Sequence, residues 1–257
     1  MSGSSAQSIS RRRVLAVRIT ILVTLALVWE ATAASGLLFR DVVPSLVKIG
    51  GALARVLAEP SLYANLLVTG YEVGMALLIG GTAGIAAGIA LGASPFLARA
   101  YEGFIHYLGP TPKIIFFPLT LLWFGVGPGS KIALGVLSSF FPIALSTAAG
   151  MREIDRVLIQ VGRSFNAGPW AMISKIYLPA IRVPVINGLR LGLGVAIIGV
   201  LLAETKLSNR GLGFMIIQSY TLFDMPRMYA LLIIIFVLAA LINALATRLV
   251  GDTTQRH

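Results

Sequence analysis

Among the charged side chains in or at the end of long apolar stretches of this chain are Glu30, Glu72, Arg190 and Glu204. A charged group near the centre of a bilayer costs about 2.5 to 3.5 kcal/mol on insertion scales, and such groups serve solute paths, proton relays or pairing. Their types and positions therefore indicate transport chemistry, either proton transfer between carboxylates or contact with a charged solute. They are the candidates for a translocation path.

Other kinds of chemistry lack the residues they need. The chain has no cysteine, which removes disulfides, thiolate nucleophiles and cysteine metal sites, and it has only two histidines, His106 and His257. It contains no H-E-x-x-H, no Gly-x-Ser-x-Gly and no Gly-x-x-x-x-Gly-Lys-Ser/Thr phosphate loop. We therefore expect no catalytic, cofactor-binding or metal-binding residue, and no ATP binding by this chain itself.

The composition predicts a membrane protein. Hydrophobic residues make up 57% of the 257 residues and charged residues only 12%, and the mean hydropathy of +0.87 exceeds what one soluble core can bury. The net charge of +11 is spread along the rims of apolar segments without interleaved aromatics, which favours a role in membrane topology over nucleic-acid binding.

The apolar segments predict an all-α polytopic bundle with six membrane-spanning helices. Residues 43–58 have apolar positions at helical spacing interrupted by Lys48 and Arg55, which predicts a helix on the membrane surface. One membrane domain is expected over residues 14–250, between tails at 1–13 and 251–257. The predicted spans are 14–38, 65–92, 108–124, 131–149, 183–203 and 228–249.

Two spans carry features that affect helix packing. In the second span, Gly80, Gly84, Gly88 and Gly92 recur every fourth residue, which predicts one smooth face for close helix packing, and Gly70 and Gly74 are expected to extend it. The third span contains three prolines, which either kink it or set its direction into the membrane. These prolines are Pro110, Pro112 and Pro118.

Basic residues predict the orientation of the bundle. With six spans, both termini lie on one side, and fourteen of the 21 Lys and Arg residues then share that side. The positive-inside rule therefore favours cytoplasmic N- and C-termini. Residues 151–182, a polar segment that we call the island, are then cytoplasmic as well.

The island is predicted to form a helix-turn-helix. Apolar residues at three- and four-residue spacing predict an amphipathic helix over 151–165, and the sequence from Asn166 to Pro169 breaks it. A second helix is predicted from Trp170 to Tyr177, ending at Leu178–Pro179. We expect one face to be buried on the membrane domain and the turn to be offered to a partner. The apolar stripe of the first helix consists of Ile154, Leu158, Val161 and Phe165.

The island resembles the cytoplasmic signature of binding-protein-dependent ABC transporter permeases, which reads Glu-Ala-Ala, three residues, Gly, nine residues, Ile, one residue, Leu-Pro. Gln160, Val161 and Gly162 occupy the first three positions and Asn166 the glycine position. Ile176 and Leu178–Pro179 match in identity as well as spacing. Asn tolerates positive φ, so the turn is expected to form, whereas Gln160 lacks the usual carboxylate.

Further segments resemble the nitrate, sulfonate and taurine branch of this family. They are PTPKIIFFPLTLLWFG at 110–125, the SFNAGPW turn, LPAIRVPVINGLRLGLG at 178–194, and Ala203–Glu204 followed by Gly211–Gly213. The similarity covers about residues 60–250. It implies a permease subunit of an ABC importer in a bacterial inner membrane, carrying a small solute such as a nitrate-, sulfonate- or taurine-like anion.

The resemblance also implies partners. Separate ATPase subunits would bind ATP-Mg and dock on the island, a second permease copy would complete a homodimer, and a solute-binding protein would deliver cargo on the outer side. No nucleic acid is expected. The docking residues implied are Gln160, Arg163, Ser164, Phe165, Asn166, Ala167, Gly168, Pro169, Trp170, Ile176, Leu178 and Pro179.

The candidate path residues keep two interpretations each. Glu30 and Glu72 either line an outward vestibule or extend to the outer interface, and Arg190 meets either an anionic solute or lipid phosphate. Glu204 either pairs with Lys206 or Arg210, which is the favoured interpretation, or contacts the solute. An alternative to the importer is a proton-coupled secondary transporter that uses Glu30 and Glu72 as a relay.

Overall fold

A computed structural model describes residues 3–36 and 42–254 of the chain. Within these residues every regular element is a helix, which confirms the predicted all-α class. A 3₁₀ segment, Lys113–Phe116, precedes α5, and a π-helical segment, Ile173–Tyr177, joins α8 to α9. The α-helices are α1 (Gly3–Ser35), α2 (Leu46–Ala58), α3 (Pro60–Ala93), α4 (Pro95–Leu108), α5 (Phe117–Phe124), α6 (Pro128–Arg152), α7 (Arg156–Ser164), α8 (Pro169–Met172), α9 (Leu178–Ala180), α10 (Arg182–Lys206), α11 (Leu212–Thr221) and α12 (Met225–Thr254).

Within the described ranges, five helices are long and apolar enough to cross a membrane. The predicted third span is not one continuous helix, because α4 ends at Leu108 and helical structure resumes only at Lys113. The segment Lys113–Phe124 reaches only about 18 Å, less than the roughly 30 Å of hydrocarbon. The prolines explain the break, since they cannot donate helix hydrogen bonds. The five are Arg13–Ser35, Pro60–Ala93, Pro128–Arg152, Arg182–Lys206 and Met225–Leu245.

Helical structure continues into both predicted tails. The first helix begins at Gly3, and α12 extends to Thr254. Residues 1–2 and 255–257 of the predicted tails lie outside the described residues, as do residues 37–38 at the predicted end of the first span.

Packing divides the chain into two compact units, residues 1–59 with 218–234 and residues 60–217 with 235–257. In the first unit, the Trp29 indole donates to the Pro44 carbonyl at 3.0 Å and its ring contacts Tyr229 edge-on. The Glu30 carboxylate accepts from the Leu46 N–H at 3.0 Å, at the first residue of α2. Glu30 therefore caps a helix, a role that neither interpretation of this residue anticipated.

In the second unit, α6 packs between α3 and α10. The approach of α3 is close enough to require glycine: a Cβ on Gly88 would lie 2.4 Å from the Cβ of Thr147 and 2.6 Å from the Ala144 carbonyl oxygen. Gly80, Gly84 and Gly92 meet α6 in the same way, whereas a Cβ on Gly70 or Gly74 would meet open space. The expectation that Gly70 and Gly74 extend this face is wrong.

Candidate functional site

The first helix of the island is shorter than predicted. The preceding helix, α6, runs through Arg152, and α7 begins only at Arg156. Asp155 sets this start, because its carboxylate accepts from the Val157 N–H at 2.8 Å and satisfies a helix N-terminal donor. The island therefore begins with a break between α6 and α7, where one helix over 151–165 was predicted.

The turn after α7 has the geometry that Asn166 predicts. Asn166 has φ +49°, which confirms a left-handed residue at the position where the family signature has glycine. Its N–H donates to the Arg163 carbonyl at 2.9 Å, and the Ala167 N–H donates to the Gly162 carbonyl at 3.0 Å. This pair of bonds is a Schellman motif, which satisfies the last carbonyls of α7. The turn is therefore fixed by its own backbone.

The two arms of the island contact each other at Gly162. Gly162 is buried, and a Cβ there would lie 2.3 Å from the Cδ1 of Ile176 and 2.6 Å from the Met172 sulfur. The second arm is longer than predicted and runs from Pro169 through the π-helical segment to Ala180. Pro179 cannot donate to a carbonyl four residues earlier, which gives a physical reason for the widened turn before it.

The prediction that the apolar stripe of the island is buried holds only for its first residue, Ile154. Ile154 is 8% exposed and packs with Met151 and Ile181, so it holds the island to the ends of α6 and α10. Phe165 is 83% exposed and Trp170 is 78% exposed. Leu158, Val161, Phe165 and Trp170 are all exposed, and we call these four residues the island apolar surface.

The polar residues around this surface are also exposed. Gln160, Arg163, Ser164, Gly168 and Pro169 all lie at the surface. At the start of the island, the Arg152 guanidinium contacts Glu102 of α4 at 2.5 Å. This hydrogen bond is the main cause that lowers the pKa of Glu102, and His106 adds to it. The island therefore has a charged, water-exposed rim.

The remaining predicted path residues separate into two places. Glu72 is only 2% exposed and Glu204 is fully buried. The structure therefore contradicts extension of Glu72 to the interface, and it contradicts pairing of Glu204 with Lys206 or Arg210. Instead Thr69 donates to Glu204 Oε1 at 2.7 Å, and the Gly213 N–H donates to Glu204 Oε2 at 2.6 Å.

These bonds cap the start of α11. The Gly211 N–H donates to Asn65 Oδ1 at 2.6 Å, and the Leu212 N–H donates to Thr69 Oγ1 at 2.9 Å. Gly211 has φ +103°, a conformation for which glycine is suited. Together with Gly213, three successive N–H groups are satisfied by side chains of α3 and α10, so the turn between α10 and α11 is bound to the helix core.

Lys131 completes this buried cluster. It is 1% exposed, and its ammonium donates to the carbonyls of Val126 and Gly127. It also acts electrostatically on both Glu72 and Glu204. We call Glu72, Lys131 and Glu204 with Thr69 the buried polar cluster. Sequence reasoning assigned Lys131 and Thr69 no role, although a lysine at the start of an apolar span was a usable signal.

Arg190 lies elsewhere, on a groove between α10 and α12. Its Nε donates to Asn243 Oδ1 at 3.0 Å, and both residues line a cavity of about 740 Å³. A second cavity, of about 620 Å³, lies between the α4–α5 segment, α6 and α10. Lys113 lines it, 4.8 Å above the Phe141 ring, and donates to the Leu108, Gly109 and Thr111 carbonyls. Sequence reasoning assigned Lys113 no role.

Known proteins are similar to this chain in sequence and in fold. A family model described as "Binding-protein-dependent transport system inner membrane component" matches residues 80–254. The aliphatic sulfonates transport permease protein SsuC of Bacillus subtilis is 30% identical over 84% of this chain and 79% of its own length. The taurine permease protein TauC of Escherichia coli is 32% identical over 69% and 64%.

The fold likeness extends to a solved transporter. A chain of the inward-facing MetNI methionine ABC transporter has a TM-score of 0.66 with this chain at 21% identity. The match covers 76% of this chain and 98% of the solved one. At this identity the likeness concerns the fold alone.

Proposed function

The chain belongs to the family of inner membrane components of binding-protein-dependent transport systems, and from this premise we propose that it docks ATPase subunits through its island and passes a small organic anion. It is a transport permease of an ABC importer, and ATP hydrolysis lies in a separate subunit. The ATPase partner would bind ATP-Mg.

The observation that carries the docking proposal is the island apolar surface. Its two aromatic residues, Phe165 and Trp170, are more than three-quarters exposed on either side of a rigid turn. Exposed aromatic side chains rimmed by polar residues are typical of protein interfaces, and aromatic residues dominate binding energy there. The permease chain alone leaves this surface exposed, and a docked partner would bury it.

The island is connected so that a docked partner could move the membrane helices. Ile154 packs with Met151 at the end of α6 and with Ile181 at the start of α10. Gly162 holds the two arms together against Met172 and Ile176. ATPase closure would then displace the island as a body and change the packing of α6 and α10.

The test of docking is substitution of Phe165 by Ser in the full chain, co-expressed with the ATPase subunit. We expect co-purification of the ATPase to fall at least about tenfold, because hot-spot aromatics contribute about 2 kcal/mol or more. Phe96→Ser is the matched control, since Phe96 is 72% exposed and lies outside the island. Unchanged ATPase recovery with Phe165→Ser would contradict the docking proposal.

For the solute path, we place an anionic solute at the cavity lined by Lys113. The Lys113 ammonium is held by three carbonyls, so it presents a fixed positive charge to the cavity. The names of the sulfonate and taurine relatives support an anionic organic solute. Arg190, on the other cavity, is a second candidate contact for such a solute.

Uptake assays distinguish the two cavities. We expect Lys113→Gln to lower uptake of a labelled sulfonate by about tenfold, the effect of losing about 1.4 kcal/mol of favourable interaction. Arg190→Gln tests the second cavity in the same assay, and Lys206→Gln is an exposed control. Wild-type uptake by Lys113→Gln would remove this cavity from the path.

The remaining partners follow from the family. We propose that a second copy of the chain completes the permease, that a solute-binding protein delivers the solute, and that both termini are cytoplasmic. The exposed apolar residues of α5, which include Leu122 and Trp123, would face the second copy or lipid. Crosslinking of single cysteines placed on α5 of this cysteine-free chain would test the homodimer.

The proton-coupled carrier is the weaker alternative. Glu30 caps α2 and Glu72 is buried beside Glu204, so each carboxylate has a structural partner. Family membership supports an ATP-driven importer instead. Uptake that survives ATP depletion and is abolished by collapse of the proton gradient would reverse this preference.

A further inference from the structure

We propose that Glu72 and Glu204 form a buried one-proton site that holds the turn between α10 and α11, residues 207–211, against α3. The site goes beyond the permease function, because it concerns how one end of the α3–α6–α10 core is kept closed. Its ligand is a single proton shared between two carboxyl groups. The proton is resident and is not transported.

The direction of the hydrogen bonds identifies Glu204 as the ionised member. A backbone N–H can only donate, so the Gly213 N–H makes Glu204 Oε2 an acceptor. The Thr69 hydroxyl accepts from the Leu212 N–H, and its own hydrogen is directed at Glu204 Oε1. Both oxygens of Glu204 therefore accept hydrogen bonds, which favours the ionised form of this carboxyl group.

Glu72 is the member that carries the proton. It is 2% exposed, and among the described residues its Oε2 accepts no hydrogen bond. Thr69, which donates to Glu204 Oε1, lies one helical turn before Glu72 on the same face of α3, so the two carboxyl groups are buried side by side and interact electrostatically. Two adjacent buried carboxylates would repel each other, so one of the two groups carries a hydrogen. A protonated Glu72 that donates to Glu204 accounts for both observations.

Lys131 makes the protonated site electrically neutral. The charged and titratable groups facing the site are Glu72 from α3, Lys131 from α6 and Glu204 from α10. The first turn of α11, Leu212–Met215, has no titratable side chain. One proton, one ammonium and two carboxyl groups sum to zero charge. Loss of the proton would leave a second buried negative charge, which is costly.

The site affects the turn because Glu204 has two roles. It holds the turn through hydrogen bonds, and it accepts the hydrogen bond that the protonated Glu72 donates. The Glu204 carboxylate holds Gly213, and through Thr69 it supports Leu212. A second negative charge on Glu72 would push the Glu204 carboxylate away from this position. The turn would then separate from α3 and expose Leu212, which is 2% exposed in the closed structure.

The absence of cysteine from the chain allows a direct test. In the full-length protein in lipid nanodiscs, Leu212→Cys reports whether the turn is closed, because a buried thiol reacts slowly with a water-soluble maleimide. Asn209→Cys, at an exposed position of the same turn, reports the intrinsic reactivity at each pH. The measured quantity is the labelling rate of the first variant divided by that of the second.

Two conservative substitutions give opposite expectations. Glu72→Gln keeps a donor to Glu204, so the rate ratio should stay within about twofold of the parent. Glu204→Gln presents an amide NH₂ to a donor, so one bond is lost and the ratio should rise at least about tenfold. Equal effects of the two substitutions, or no effect of Glu204→Gln, would overturn the proposal.

The pH dependence provides a second test that does not need a disruptive variant. With Glu72 intact, the rate ratio should rise at alkaline pH as the shared proton leaves, whereas Glu72→Gln has no such proton and should show no rise. Infrared spectra should also contain a protonated-carboxyl band that is lost in Glu72→Gln and retained in Glu30→Gln. A band unaffected by Glu72→Gln would contradict the site.

Discussion

The regions at the two ends of α10 differ in whether their side chains are covered by the rest of the chain. Near its last turn, the buried polar cluster encloses charged groups and supplies hydrogen bonds or charges for them. Before its first turn, the island apolar surface leaves the aromatic side chains of Phe165 and Trp170 exposed to water. The ends are separated by about 36 Å of helix. The difference teaches that the hydrogen bonds of one region are complete within the chain, whereas the other region leaves an apolar surface uncovered, where we propose that a partner docks.

This contrast predicts where substitutions act. In the closed region, a change removes an interaction that the chain itself needs, so stability should fall. In the open region, a change removes nothing that the chain uses when alone, so partner binding should fall while stability stays constant. The predictions below test this division, from the largest expected effect to the smallest.

The largest effect should come from Lys131→Met. Methionine has a similar volume but no charge, so the buried Glu204 carboxylate would lose its neutralising ammonium. Breaking a buried charge pair costs about 3 to 5 kcal/mol, which should appear in the free energy of unfolding in mixed micelles. Lys206→Met, at an exposed position two residues after Glu204, is the control. Equal stability of both variants would show that the cluster does not need Lys131.

A smaller effect is expected at the glycine face of α3. Gly88→Ala would place a methyl group against Thr147 and the Ala144 carbonyl, neither of which can move freely, so the cost should be about 1 to 3 kcal/mol. Gly74→Ala, in the same helix, meets open space and should stabilise by about 0.5 to 1 kcal/mol. Opposite signs in thermal unfolding would support the assigned packing face, and equal signs would contradict it.

The sequence predicted the parts of the molecule that depend on local pattern. Glycine spacing indicated the packing face at Gly80–Gly92, and the Asn166 turn was readable because few residues tolerate positive φ. The buried polar cluster was not readable, since it joins Thr69, Lys131 and Glu204 from three helices. Periodicity gives the face of a helix but not which neighbour covers it, so Glu204 was assigned to nearby lysine and arginine residues.

The same limit explains the error in the island. The three- and four-residue spacing of Leu158, Val161 and Phe165 correctly indicated one apolar face of a helix. It did not reveal whether the protein itself or a partner covers that face. The break before α7 was missed because the apolar spacing from Ile154 to Leu158 continues across Asp155, which caps α7 in the structure.

A modest effect, dependent on pH, is expected for the ion pair between Arg152, at the start of the island, and Glu102. The Arg152 hydrogen bond lowers the pKa of Glu102, so its stabilisation is present above the ordinary pKa of a glutamate and is lost as the pH falls through the lowered value. Both side chains are partly exposed, so Glu102→Gln should cost between about 0 and 1 kcal/mol at neutral pH. The difference from wild type in thermal unfolding should vanish in acid, and a difference independent of pH would assign the effect to packing.

The smallest effect should be that of Gly162→Ala, which introduces the alanine that the family signature has at this position. The neighbours of the added methyl are the ends of two flexible side chains, Ile176 Cδ1 and Met172 Sδ, which can move aside. Alanine also favours a helix over glycine by about 1 kcal/mol, so the net change in unfolding free energy should be within about 1 kcal/mol. ATPase co-purification should be unchanged, because Gly162 is buried under Met172 and Ile176, whereas the residues of the island apolar surface are exposed. A loss as large as that of Gly88→Ala would show that the arms of the island are packed as rigidly as the membrane helices, and the division between a closed and an open region would then not hold.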